Sequence, residues 1–202
     1  MQTEDFLKAL ASKEAVPGGG GVSALMGSLA AALCSMVGNL TTGKKKYAEF
    51  EPAIQEILKK AEVSRERLYA LIEEDAKAFK PLAEAYAIPK EDPTRSSVME
   101  KALKNACVPP MDMMEETLRI VDLIEELAEK GSRLAVSDVG VAAAAAKAAM
   151  EGAIMNIIIN CNSMEDSLYA AVMAGHAVEM LREGQDRCDA VYNTVFDTLT
   201  RN

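Results

Sequence analysis

The chain has 202 residues, a net charge of -9 from 31 acidic and 22 basic side chains, aromatics at 4% and no Trp. That length fits one domain, with a core large enough to need no staples. The acidic balance disfavours broad nucleic-acid binding, which needs phosphate-neutralising Lys and Arg.

Helix-forming residues dominate and no useful strand-length alternation is visible, so the expected class is all-α. A short first helix is expected over about Thr3 to Ser12, capped by Thr3. The second is led by Pro17-Gly18-Gly19-Gly20-Gly21 and ends near Thr41 to Gly43. From Ala15 to Gly43 no side chain is charged. A helix with no solvated face must be wrapped by protein or lipid. Ser23, Ser28, Ser35, Asn39 and the glycines in this stretch, with amphipathic neighbours on either side, favour protein. This helix is therefore expected as a buried, glycine/alanine-rich central rod.

A third helix should start near Pro52, because proline fits a first turn, and run towards Tyr86. Ile54, Ile57, Leu58, Ala61, Leu68, Leu71 and Ile72 carry its period, and Pro81 should kink or tighten its end. A fourth should run from Pro93 or Thr94 to Lys130, bent or broken by Pro109-Pro110. The fifth should begin at Ser137-Asp138 and reach Cys161. A sixth spans roughly Met164 to Thr200, with Gly184 a weak spot. Short connections predict an up-and-down bundle of about six helices. From Val139 to Cys161 the only charges are Lys147 and Glu151. Two nearly chargeless helices exceed what six can surround, so a two-fold homodimer is expected.

Chemistry-bearing residues are few. Cys34, Cys107, Cys161 and Cys188 form no CxxC pair and read as buried free thiols of a reducing cytosol. His176 is the single histidine and reads as a packed helix residue. No metal site is expected, since zinc needs clustered Cys or His ligands. The start, Met1-Gln2-Thr3-Glu4-Asp5-Phe6, is acidic where a secretory signal is basic. A cytoplasmic protein away from membranes is the expectation.

Asn156 and Asn160 are four apart and share a helix face. Buried amides need partners, either neighbouring backbone or a ligand. Asp75 and Phe79 are also four apart. Glu73, Glu74 and Asp75 could equally be a solvated face, and Asp138 could be a plain N-cap. Lys44-Lys45-Lys46 either marks a helix end or holds ligand carboxylates. The glycine run is no phosphate loop, because Gly-Lys-Ser/Thr and a preceding strand are missing. Its uncovered amides offer either tight helix entry or substrate approach. Up-and-down threading puts Asn39, Lys44 to Lys46 and Asp138 at one end. The glycine turn, Asp75, Phe79, Asn156 and Asn160 fall at the other, and a dimer could join opposite ends.

Two segments carry a family resemblance. One is Pro17-Gly18-Gly19-Gly20 through Val37-Gly38-Asn39-Leu40-Thr41 and Gly43-Lys44-Lys45-Lys46-Tyr47. The other is Ser137-Asp138-Val139-Gly140-Val141-Ala142 with Glu151-Gly152-Ala153 and Asn156. Together with Asp75 and Phe79 they resemble the formiminotransferase-cyclodeaminase C-terminal family across essentially the whole chain. Gly21 stands where Ser is expected. The resemblance implies a single all-α domain over 1–202, homodimeric, in a stand-alone form lacking the transferase half. It implies action on tetrahydrofolate one-carbon units, with no metal or redox cofactor.

Two reactions are implied. A cyclodeaminase turns 5-formiminotetrahydrofolate into 5,10-methenyltetrahydrofolate and ammonia. A cyclohydrolase interconverts the methenyl compound and 10-formyltetrahydrofolate. On this reading Asp75 or Asp138 is the catalytic carboxylate. Asn156 and Asn160 orient the pterin, with Phe79 and Asn39 in the site. Gly18, Gly19 and Gly20 admit the pterin to backbone, and Lys44, Lys45 and Lys46 hold the glutamate tail. The competing class is a non-catalytic helical interaction module, and a membrane-associated bundle ranks third.

Overall fold

A computed structural model describes residues 2–201 of the chain. Among these the chain is helical throughout: α1 (Thr3–Leu10), α2 (Gly19–Asn39), α3 (Glu51–Tyr86), α4 (Arg95–Ala106), α5 (Val108–Lys130), α6 (Val136–Cys161) and α7 (Ser167–Thr200). Short 3-10 turns at Lys45–Phe50 and Arg133–Ala135 lead into α3 and α6. The described helices number seven rather than six because the Pro109-Pro110 segment splits one expected helix at Cys107. Both prolines then sit in the first turn of α5, where a missing N–H leaves nothing unpaired.

Several termini differ from expectation for local reasons. Gln2, not Thr3, precedes α1, and its side chain makes no cap bond. Helix α2 stops at Asn39, with Gly43 beyond it at φ +71, a left-handed conformation that suits glycine. The Gly43 N–H donates to Glu51 Oε2 at 2.9 Å. Helix α3 continues through Pro81 to Tyr86. Asp138 is third in α6 and caps nothing. Helix α7 starts later than expected because Asp166 caps it, accepting from the Tyr169 N–H at 3.1 Å. Gly184 is no weak spot. It is buried against α6, and a Cβ there would strike the Met150 thioether.

Helices α3, α2, α6 and α7 lie side by side in that order, and α5 packs across all four from one face. Ile54, Ile57, Leu68, Leu71, Ile120, Ile124, Met150 and Ile157 fill the layer between them, each at most 1% exposed. Each such side chain contributes ~1.5–3 kcal/mol by leaving water. Helices α2 and α6 run antiparallel. Gly19 lies beside Asn156 at one end, and the Ser132 N–H, just before α6, donates to Thr41 Oγ1 at 2.8 Å at the other.

The opposite face of the layer is open. Ala24, Ala30, Ala31, Cys34 and Val37 bury the inner side of α2, but Leu29 is 53% and Met36 42% exposed. On α6, Val141, Met155 and Ile159 are exposed in the same way. Within one chain, therefore, neither helix is fully surrounded. Both are long and apolar enough to cross a membrane by length and composition, yet 56% of the α2 window is buried in protein.

Candidate active site

The chain before α2 is extended at Gly18, and the first helical turn, Gly19 to Gly21, carries no side chains. Its free amides and the helix dipole favour negative charge there. Asp75 of α3 fills that place. A Cβ on Gly20 would land on the Asp75 carboxylate, so only glycine lets the two helices meet this way. Burial pushes the Asp75 carboxyl above its usual value of 3.8, and the Gly21 N–H opposes that shift. The result is a half-buried carboxyl whose neutral form is favoured more than that of a free carboxyl.

Asp75 faces a cavity of about 250 Å³. Gly18, Gly19 and Gly20 form one wall, and Phe79, a turn further along α3, forms another. Asn156 and Asn160 of α6 close the opposite side. The Asn156 amide nitrogen donates to the Gly152 carbonyl at 2.9 Å, and that of Asn160 to the Ala106 carbonyl at 3.3 Å. Backbone thus fixes both amides, and both still line the cavity. The structure brings together the glycine turn, Asp75, Phe79, Asn156 and Asn160 as the threading predicted.

The remaining expected residues lie elsewhere in the chain. Asn39 ends α2, ~30 Å from Gly19 at 1.5 Å per residue. Lys44, Lys45 and Lys46 follow it, exposed, with Lys44 Nζ donating to Ser132 Oγ at 3.2 Å. Asp138, in the first turn of α6, is ~33 Å from Asn160. No single chain joins these groups to the Asp75 cavity.

The acidic run divides into three environments. Glu73 is exposed and pairs with Lys77 at 2.8 Å. Glu74 pairs with Arg67 at 2.5 Å. Only Asp75 turns inward. His176, expected to be packed, is exposed, because Ala177 beside it takes the inner position. Burial pushes the Cys34 and Cys107 thiols up to about 12, which makes poor nucleophiles of them. No group of three His, Cys, Asp or Glu among the described residues could hold a metal. Two cavities are clearly larger than the Asp75 cavity, and two more are of similar size. Of the larger two, one is apolar, between α1, α2 and α3, and the other, of about 810 Å³ between α3 and α5, is lined mostly by charges on both signs.

Sequence reasoning missed Val16, Ala106 and Ile159, which also line the cavity. Ala106 reaches it because α4 ends there. The proline pair marked that break, but not which residue it would deliver.

A half-buried carboxyl under a glycine-led helix start, beside a cavity in an all-helical layer, has the form of a small-molecule site. A family model described as Formiminotransferase-cyclodeaminase matches residues 2–179, and the chain belongs to that family. Methenyltetrahydrofolate cyclohydrolase of Methylorubrum extorquens is 37% identical over 95% of this chain and 94% of its own length. Formimidoyltransferase-cyclodeaminase of Mus musculus is 28% identical over 94% of this chain, which spans 36% of that longer protein. The crystal structure of formiminotetrahydrofolate cyclodeaminase from Thermotoga maritima superposes with a TM-score of 0.85 at 28% identity, covering 99% of this chain and 96% of that one.

Proposed function

We propose that this chain forms or opens the one-carbon bridge of 5,10-methenyltetrahydrofolate, acting first as a formiminotetrahydrofolate cyclodeaminase. The observation that carries the reading is the Asp75 carboxyl, held half-buried at a cavity beside the glycine turn. In the deaminase direction N10 attacks the formimino carbon, giving a tetrahedral centre. Asp75 takes the N10 proton and returns it to the amine, and ammonia leaves with the C–N bond pair. One proton moves and none is lost. The carboxylate also steadies the amidinium charge on either side of the step. Asn156 and Asn160 orient the pterin, and Phe79 packs on it. The chemistry asks for no metal or redox cofactor.

Cyclohydrolase is the second reading, favoured by the 37% identity to a protein of that name. There Asp75 takes a proton from water as it adds to the methenyl carbon. It then delivers a proton to N5 as the N5–C bond breaks, leaving 10-formyltetrahydrofolate and one proton released to solvent. Purified protein supplied with each folate separates the two. Ammonia with rising methenyl absorbance marks the deaminase. Loss of methenyl absorbance faster than the uncatalysed rate marks the hydrolase. Neither signal would defeat the reading.

The same reading takes a homodimer. The uncovered apolar stripe of α2 and α6 fits a second copy, related by a two-fold axis across the middle of these antiparallel helices. That axis carries the Asn39, Lys44 to Lys46 and Asp138 end of one protomer over the Asp75 cavity of the other. The lysines then face the glutamate tail, and Asp138 becomes a second carboxylate at the site. Four buried free thiols suit a reducing cytoplasm.

A further inference from the structure

Next to the Asp75 cavity lies the apolar one, of about 450 Å³. Phe6 of α1, Leu25 of α2, and Tyr69, Ile72 and Ala76 of α3 line it, and Val16 lines both cavities. Asp75 and Ala76 are consecutive on α3, one facing each space. The Val16-Pro17-Gly18 connector runs between them, Pro17 lining the apolar space and Gly18 the Asp75 cavity. Of the polar residues lining the apolar space, Glu73 is already paired with Lys77, so the walls offer apolar and aromatic contact rather than charge recognition.

This inference rests on the tetrahydrofolate reading and deepens it. The reacting carbon bridges N5 and N10, and N10 is bonded directly to a benzoyl ring. An aromatic slot must therefore begin within a bond or two of the carboxylate that serves the bridge. We infer that the apolar cavity is the subsite for the p-aminobenzoyl ring of the substrate. Phe6 and Tyr69 flank the ring, and Leu25, Ile72 and Ala76 lie against it. Helix α1, whose only buried side chain is Phe6, serves as a wall of that subsite. The pterin stays on the Asp75 side of Val16.

Two ligand fragments test the assignment: p-aminobenzoyl-L-glutamate and 6-methyltetrahydropterin, titrated by calorimetry into wild type, Ala76→Leu and Tyr69→Ala. Ala76→Leu fills the cavity. Tyr69→Ala removes a wall from a half-exposed position and spares the core, so it covers the case in which Ala76→Leu fails to fold. Each folded variant should weaken p-aminobenzoyl-L-glutamate at least about tenfold, and leave 6-methyltetrahydropterin within about twofold. KM for the folate should rise by a similar factor with kcat little changed, the mark of lost uniform binding. Folded variants that turn over folate with unaltered KM and unaltered fragment affinity would overturn the subsite and leave the folate reading standing. Wild type that turns over neither folate and binds neither fragment overturns both.

Discussion

At the residue scale the site depends on one contact, Asp75 against Gly20. Asp75→Asn keeps the shape and removes the proposed proton carrier, so on that proposal kcat should fall at least about a hundredfold, the usual worth of a placed acid–base group. Folding raises this carboxyl above 3.8 by burial, so ionising it costs the native state. That cost is absent in acid below 3.8 and fully present once pH exceeds the raised value. The Asn variant should therefore melt higher than wild type near neutral pH, and the gap should close as pH falls. Differential scanning calorimetry at several pH values reads this directly. An inactive variant that is also less stable at neutral pH would contradict the desolvation account. Gly20→Ala makes the complementary case. Its methyl falls on the Asp75 carboxylate, so the helices must part or the carboxylate must leave. Turnover should be lost and stability should drop by ~1–3 kcal/mol, as for other overpacked contacts, measured by urea unfolding.

Between elements, α3 and α5 are pinned by a buried polar pair. Ser64 donates to the carboxylate of Glu116, which also takes Arg119 on its other oxygen. Glu116 is 7% exposed. Ser64→Ala leaves that carboxylate short of a donor where water is scarce, and should cost ~1–3 kcal/mol in urea unfolding while sparing turnover. An unchanged midpoint would mean that Arg119 alone satisfies the carboxylate. This pin was not legible in the sequence, because Ser64 and Glu116 carry no periodic or motif signal and meet only through packing. What was legible followed from period and punctuation. The apolar spacing of Ile54 to Leu71 gave α3 nearly to the residue, and the proline pair marked the α4–α5 break. The four-residue spacings Asp75–Phe79 and Asn156–Asn160, combined with antiparallel threading, put those four beside the glycine turn. The sequence did not reveal which face of α2 stays open. A chargeless helix looks the same whether it is wrapped by its own chain or by another. Gly184 misled for a related reason, since glycine's low helix propensity hid its use as a close-packing position against Met150.

For the whole molecule the decisive question is whether one active site draws on two chains. The lysine end and the Asp75 end of α2 are ~30 Å apart, too far for one small substrate to touch both within a protomer. An antiparallel two-fold pairing over Leu29, Met36, Val141 and Met155 would bring them together and also cover the exposed apolar stripe. Complementation tests this more sharply than oligomeric state. Asp75→Asn protein and a Lys44→Ala/Lys45→Ala/Lys46→Ala protein should each turn over poorly at low folate concentration. Mixed and refolded at equal amounts, half of the random dimers are heterodimers. Each heterodimer carries one site with both defects and one with neither, so about one quarter of wild-type activity should return. If the lysines served the Asp75 of their own chain, every site in the mixture would carry one defect and no activity would return. Recovery measured against the unmixed variants therefore distinguishes a site shared between chains from one completed within a chain.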